Sequence, residues 1–239
     1  MRLILDVNIN NPNLPLIDPV MQLINDSALG IYGMLDKSDV TGRAGPLVTN
    51  ATFDSQGAIV DNTGNTLIQT PVKQTAAMTI IYVWQLSRPA TDIASVAIGN
   101  LAPGAAPFTG FRMTTGANGS EFVQTGTGLT SPSVNQLQTT HTNTTSWVAQ
   151  AVAWDASRVD KYLYNSSTVV GGAWQSTPAN AGDIFYLNGM PASSPATVKA
   201  GYTGKMGIVG FYNRKMTAEE ITALLNTAVK IINGRGVSV

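Results

Sequence analysis

Hydrolysis of a glycosidic bond needs two carboxylates, and this chain has only three glutamates to offer: Glu121, Glu219 and Glu220. A retaining pair stands about 5 Å apart, a separation that alternate positions of one strand supply. Glu121 has Val123 at that position and neutral Gln124 beyond it. Glu219 and Glu220 sit where a helix begins, and negative charge there complements the helix dipole. Asp155 and Asp160 flank a turn and read as turn formers. The single histidine, His141, lies in the polar run Gln138-Thr139-Thr140-His141-Thr142-Asn143, and there is no cysteine. With no Gly-x-Ser-x-Gly elbow either, neither nucleophilic catalysis nor a zinc site can be assembled. The residue types therefore predict that the chain is not an enzyme.

Calcium is the metal these residues allow, because it takes carboxylate, amide and backbone oxygens. Asp36, Asp39, Asp54 and Asp61 in the early loops are the candidate ligands, without EF-hand spacing. The competing reading is that each aspartate caps its own turn. The glycine runs Gly99 to Gly104 and Gly126-Thr127-Gly128 lack the lysine and helix of a phosphate loop. No other cofactor is implied.

Sugar recognition asks for aromatic faces beside amides. Trp174, in Gly171-Gly172-Ala173-Trp174, and Tyr202, in Ala200-Gly201-Tyr202-Thr203, fall in loop-like sequence, and Asn143 and Asn188 supply amides. These four form the candidate ligand-binding set. Trp84 and Trp147 lie in apolar alternation and read as core.

Composition narrows the classes further. Fourteen basic residues balance 14 acidic ones, and charged residues are only 12% of the 239. A scattered, balanced charge does not provide the basic face that nucleic acid needs. No apolar run approaches the roughly 20 residues of a membrane-spanning helix, and Met1 to Asp6 breaks off too early for a signal-peptide core. Without cysteine no disulfide framework exists, in keeping with synthesis in a reducing cytosol.

The elements that must position these residues read mostly as strands. Met78 to Leu86 is the strongest, apolar on both faces and so central. Ala28 to Gly33, Thr52-Phe53, Ala58 to Val60, Leu67-Ile68, Ala94 to Ile98, Gly110 to Met113, Glu121 to Gln124, Trp147 to Trp154, Val159 to Asn165 and Ile184 to Leu187 share the same reading. Asn118-Gly119 and Asn188-Gly189 are hairpin signals, and Ser131 to Thr145 reads as an exposed loop. Near the end, Gly204 to Tyr212 predicts a strand and Thr217 with Glu220 a capping box. Behind it Ile221, Leu224, Leu225, Ala228, Ile231 and Ile232 recur at helical spacing, up to the stop at Asn233-Gly234. Asp18-Pro19 predicts a short helix start within an N-terminal arm, residues 1–27. The expected layout is that arm, for attachment or oligomer contacts, then a sandwich over 28–232 and a tail over 233–239.

Four blocks in order carry a resemblance: Met78-Thr79-Ile80-Ile81-Tyr82-Val83-Trp84, Trp147 to Asp155 with Tyr162-Leu163-Tyr164-Asn165, Ile184 to Gly189, and Tyr212-Asn213-Arg214 leading to Glu219-Glu220-Ile221. The chain resembles laminin-G-like, concanavalin-A-like jelly rolls over roughly residues 28 to 230. The resemblance implies an all-β, two-sheet antiparallel jelly-roll sandwich with one C-terminal helix. Such domains without cysteine or signal peptide are similar to bacteriophage tail, fibre and capsid-decorating proteins. The function this implies is that of a non-enzymatic virion subunit, made in the host cytoplasm, homo-oligomeric, bound to other virion subunits and touching host surface glycans. The alternative is a carbohydrate-binding lectin module outside a virus, and a glycoside hydrolase is the third reading.

Overall fold

The computed structural model describes residues 18–87, 95–101, 106–115, 120–140, 146–191 and 200–239. Among them the chain runs through a 3₁₀ turn (Pro19–Leu23), β1 (Ala28–Tyr32), β2 (Val48–Thr49), β3 (Thr52–Phe53), β4 (Ala58–Val60), β5 (Ile68–Lys73), β6 (Met78–Ser87) and β7 (Ser95–Gly99). It continues through β8 (Phe111–Thr115), β9 (Ser120–Gly126), β10 (Val134–Thr140), β11 (Val148–Trp154), β12 (Arg158–Leu163), β13 (Val170–Ala173), β14 (Ile184–Leu187) and β15 (Thr203–Tyr212), then α1 (Ala218–Asn233).

The strands form two antiparallel sheets, as the all-β reading requires. The first has eight strands in the order β13-β12-β11-β6-β15-β4-β3, with β1 also on β15, and the second has seven in the order β10-β9-β8-β7-β14-β5-β2. β6 lies between β11 and β15 and is buried on both faces from Met78 to Trp84. Its apolar run is what a strand covered twice demands.

Three strands lie outside the expected set: the two-residue β2, and β10 and β13. The loop expected over Ser131 to Thr145 contains β10, paired with β9 along its length. Its inward residues Asn135, Leu137 and Thr139 alternate with Gln136 and Gln138, which are exposed. Because both faces are largely polar, the period of two leaves no hydropathy signal. β13, Val-Gly-Gly-Ala, is a glycine-rich edge strand held by register to β12. A Cβ on Gly171 would stand 2.0 Å from Asp160 Oδ1, so glycine is what lets Asp160 lie against this strand.

Between the sheets lies the main core. Trp154 stacks on Phe111 with ring centroids 4.3 Å apart, and Phe185 packs on Phe211 at 5.2 Å. A second core covers the outer face of the first sheet. There Ala149, Ala151 and Ala153 leave room for α1, whose Ile221, Leu225, Val229 and Ile232 meet Ile81, Val83 and Ile208. Each of the larger side chains buried this way is worth about 2 kcal/mol. Thr217 and Glu220 form the expected capping box. In the 3₁₀ turn, capped by Asp18, Val20 and Leu23 are fully buried in this same layer. Residues 18–27 of the expected arm are thus bound to the sandwich, whereas residues 1–17 lie outside the described residues. In the tail, Arg235 donates to the Gly33 and Gly207 carbonyls at 2.8 and 2.9 Å, and Val237 is buried. No described helix is long and apolar enough to cross a membrane.

The candidate site on the outer face of the second sheet

The four residues expected to bind a sugar do not meet at one rim. Tyr202 is 2% exposed, and its hydroxyl donates to Thr115 Oγ1 at 3.2 Å inside the core. Asn188 is fully buried: its amide nitrogen donates to the Asp61 carbonyl at 2.7 Å and its oxygen accepts from Tyr202 N at 2.7 Å. Both are corrections. A residue beside Gly, as in Asn-Gly or Gly-Tyr, reads as loop-borne, but here the loop folds inward and these polar atoms hold its backbone. Trp174 directly follows β13, is half-buried against the core, and donates from Nε1 to the Asp155 carbonyl at 3.1 Å. Asn143 and His141 lie outside the described residues.

The four aspartates are likewise occupied where they stand. Asp39 accepts from the Ile31, Thr41 and Ala44 amides and from the Thr41 hydroxyl at 2.7–3.0 Å. Burial would raise its pKa, but those hydrogen bonds prevail and hold it below the usual value. Asp54 takes Lys205 at 2.6 Å, Asp61 binds Thr63, and Asp36 caps Ser38. Among the described residues no group of three His, Asp or Glu side chains gathers as a metal site. Glu121 faces inward, 4% exposed, paired with Lys161.

With α1 on the first sheet, the outer face of the second is the sheet surface that no described helix covers. Strand register sets a single row across it: Gln136, Gln124, Arg112, Gly99, Tyr186, Gln69 and Val48. Six strand spacings make the row about 29 Å long. Gln136 and Val48 are exposed, Arg112, Tyr186 and Gln69 are half-buried, and Gln124 and Gly99 are buried; Arg112 lies between Phe111 and Met113, and Tyr186 between Phe185 and Leu187. The next row holds Gln138, Phe122 and Thr114.

Polar side chains in the long row are tied to one another. Arg112 Nε donates to Gln124 Oε1 at 2.8 Å, and Gln124 Nε2 donates to Gln136 Oε1 at 2.6 Å. Arg112 is half-buried, and burial lowers its pKa from the usual guanidinium value. Tyr186 is half-buried too, its phenol raised by burial and then by the Asp183 carboxylate. Gly99 separates them. A Cβ there would meet Arg112 Cβ at 2.9 Å, so the glycine is what lets Arg112 pack closely over β7. An arrangement of amides, a cation and an aromatic ring on one face can hydrogen-bond and stack against a ring bearing hydroxyls.

Sequence reasoning missed these residues because they come from strands distant in the chain. A local signal exists in the triplets Phe111-Arg112-Met113, Val123-Gln124-Thr125 and Phe185-Tyr186-Leu187, each with a polar or amphipathic centre between inward residues. What that signal lacks is which face the helix will leave bare.

No family model matches the sequence, and no curated protein matches it. Solved structures do match the fold. Trypanosoma rangeli sialidase in complex with sialic acid superimposes with a TM-score of 0.61 at 15% identity, covering 87% of this chain and 34% of the sialidase. A second T. rangeli sialidase structure gives 0.58 at 14% identity over the same shares. The CBM40 of the Ruminococcus gnavus IT-sialidase, bound to α2,3-sialyllactose, gives 0.50 at 12% identity, covering 63% of this chain and 83% of the module. This chain spans about a third of the length of the sialidases it matches. The bacteriophage context expected from the sequence has no counterpart among these structures. The chain is a two-sheet antiparallel sandwich structurally similar to parts of sialidases, including a CBM40.

Proposed function

We propose that this chain is a non-enzymatic glycan-binding module whose contact surface is the outer face of the second sheet. The observation that carries the reading is the row of Gln136, Gln124, Arg112, Tyr186 and Gln69 on a face that no described helix covers. Support comes from the likeness to a CBM40 seen with sialyllactose. That likeness favours the lectin-module alternative over the virion subunit, for which it adds nothing. Catalysis has no support in the geometry either, since Glu121 is buried against Lys161 and Glu220 is engaged by Arg214.

A glycan array probed with the full chain and with Tyr186→Ala tests the proposal. Binding of a restricted glycan set, lost or reduced about tenfold or more in the variant, is the expected result. A chain that binds no glycan, or a variant that matches the wild type on every one, would refute it. Self-association and placement in a virion are separate proposals from the sequence resemblance. Light scattering on the full chain, and on one lacking residues 1–17, reads the first.

A further inference from the structure

Proton donors and acceptors along the row are not distributed evenly. A guanidinium can only donate. Gln124 must therefore turn its oxygen toward Arg112, which directs its amide nitrogen to Gln136. Gln136 in turn accepts with its oxygen, leaving its own amide nitrogen as the far end of the relay. The orientation of two otherwise ambiguous amides is thus dictated by one cation. The atoms at the two ends of this relay, Arg112 Nη1 and Nη2 and Gln136 Nε2, are all donors, and none has a partner among the described residues.

Charge points the same way. Outward positions on the seven strands hold Arg112 and Lys73 and no aspartate or glutamate; Asp183, just before β14, acts on Tyr186 and not on Arg112. A half-buried cation without a carboxylate beside it bears a desolvation cost that its one bond to Gln124 offsets only in part. Its surroundings match an incoming group that only accepts and carries negative charge. A sugar hydroxyl donates as well as accepts, so it would use this donor array less fully. A carboxylate presents two acceptor oxygens at the spacing of the guanidinium fork.

We infer that Arg112, oriented by Gln124 and Gln136, is the receptor for the carboxylate of an acidic sugar. The inference rests on the glycan-binding reading of this face and narrows its ligand class. Sialic acids and hexuronic acids share the chemistry, so both are used as probes.

The full chain is titrated by calorimetry with α2,3-sialyllactose, an oligogalacturonate, the methyl ester of whichever binds, and lactose as the neutral control. The expected result is that one acidic probe binds at least about tenfold more tightly than its methyl ester and than lactose, and that added salt weakens it. Arg112→Gln should abolish the preference for the acid, and Arg112→Lys should restore only part of it, because an ammonium lacks the fork. Gln136 is exposed, so Gln136→Leu leaves folding intact and should reduce the preference severalfold. Equal binding of acid, ester and neutral sugar would overturn the inference while leaving glycan binding in place. An Arg112→Gln variant with the acid preference unchanged would do the same. Failure of the wild type to bind any glycan, on the array or here, would remove both readings.

Discussion

Lys161 on β12 donates its ammonium to the Glu121 carboxylate on β9, so an ion pair buried between the sheets joins one to the other. The two side chains are 8% and 6% exposed. Removing one partner leaves the other charge in the core without its counter-ion, which costs about 3–5 kcal/mol, whereas replacing both with apolar side chains is near neutral. Lys161→Met and Glu121→Leu should each lower the denaturation midpoint sharply, and the double variant should recover most of it. Additive losses in the double variant would show that the pair is not coupled.

Asp39 organises the turn after β1 by accepting from several backbone amides at once. Burial pushes its carboxyl up, but the hydrogen bonds bring it below the usual value. A carboxyl whose folded pKa is depressed adds stability above its unfolded pKa and loses it as pH falls through the folded one. Thermal melts should therefore show a loss below about pH 4 that is smaller in Asp39→Asn. The same saturation bears on calcium. Millimolar calcium in place of chelator should leave the melting temperature of the wild type unchanged, and a rise would restore Asp36, Asp39, Asp54 or Asp61 as ligands.

Thr217 caps α1, and Glu220 reciprocates by accepting from Thr217 N at 2.9 Å. Thr217→Ala should destabilise the fold by about 1 kcal/mol in urea titrations. Glu220 is lowered to about 2, first by the Arg214 guanidinium and then by the Thr217 amide. Its contribution is present above the ordinary carboxylate range and fades as pH falls toward about 2. Both groups are exposed, so salt should shrink this effect. If Arg214→Ala leaves the acid limb of the melting curve unchanged, the pair carries none of it.

Residues 18–27 cover one end of the helix layer. Val20 and Leu23 are fully buried, and Tyr212 donates its hydroxyl to the Leu23 carbonyl at 3.1 Å. A chain beginning at Ala28 should lose about 3–5 kcal/mol relative to one beginning at Asp18, from two apolar side chains and one buried hydrogen bond. Equal unfolding midpoints for the two would place this segment outside the cooperative unit.

Several elements were readable because their physics is local. α1 announced itself through Thr217, Glu220 and the spacing of Ile221, Leu225 and Ile232, which a helix needs to cap its amides and bury one stripe. β6 did so by being apolar on both faces. β10 stayed hidden because Gln136 and Gln138 face outward while Asn135 and Thr139 face inward, so polarity does not alternate. Tyr202 and Asn188 were misread for the converse reason. Glycine and Asn-Gly mark a turn, but not whether the turn lies on the surface or folds beneath another strand.

The sequence by itself determined the class of fold, most of the strands, the terminal helix and the shortage of paired carboxylates. Periodicity, capping and residue counts are properties of neighbours along the chain. Only the tertiary structure decided which sheet α1 covers, and hence which outer face no described helix overlies. Only strand register could bring Gln136, Gln124, Arg112, Gly99 and Tyr186 into one row, since hydrogen bonds between strands join residues that no local spacing relates.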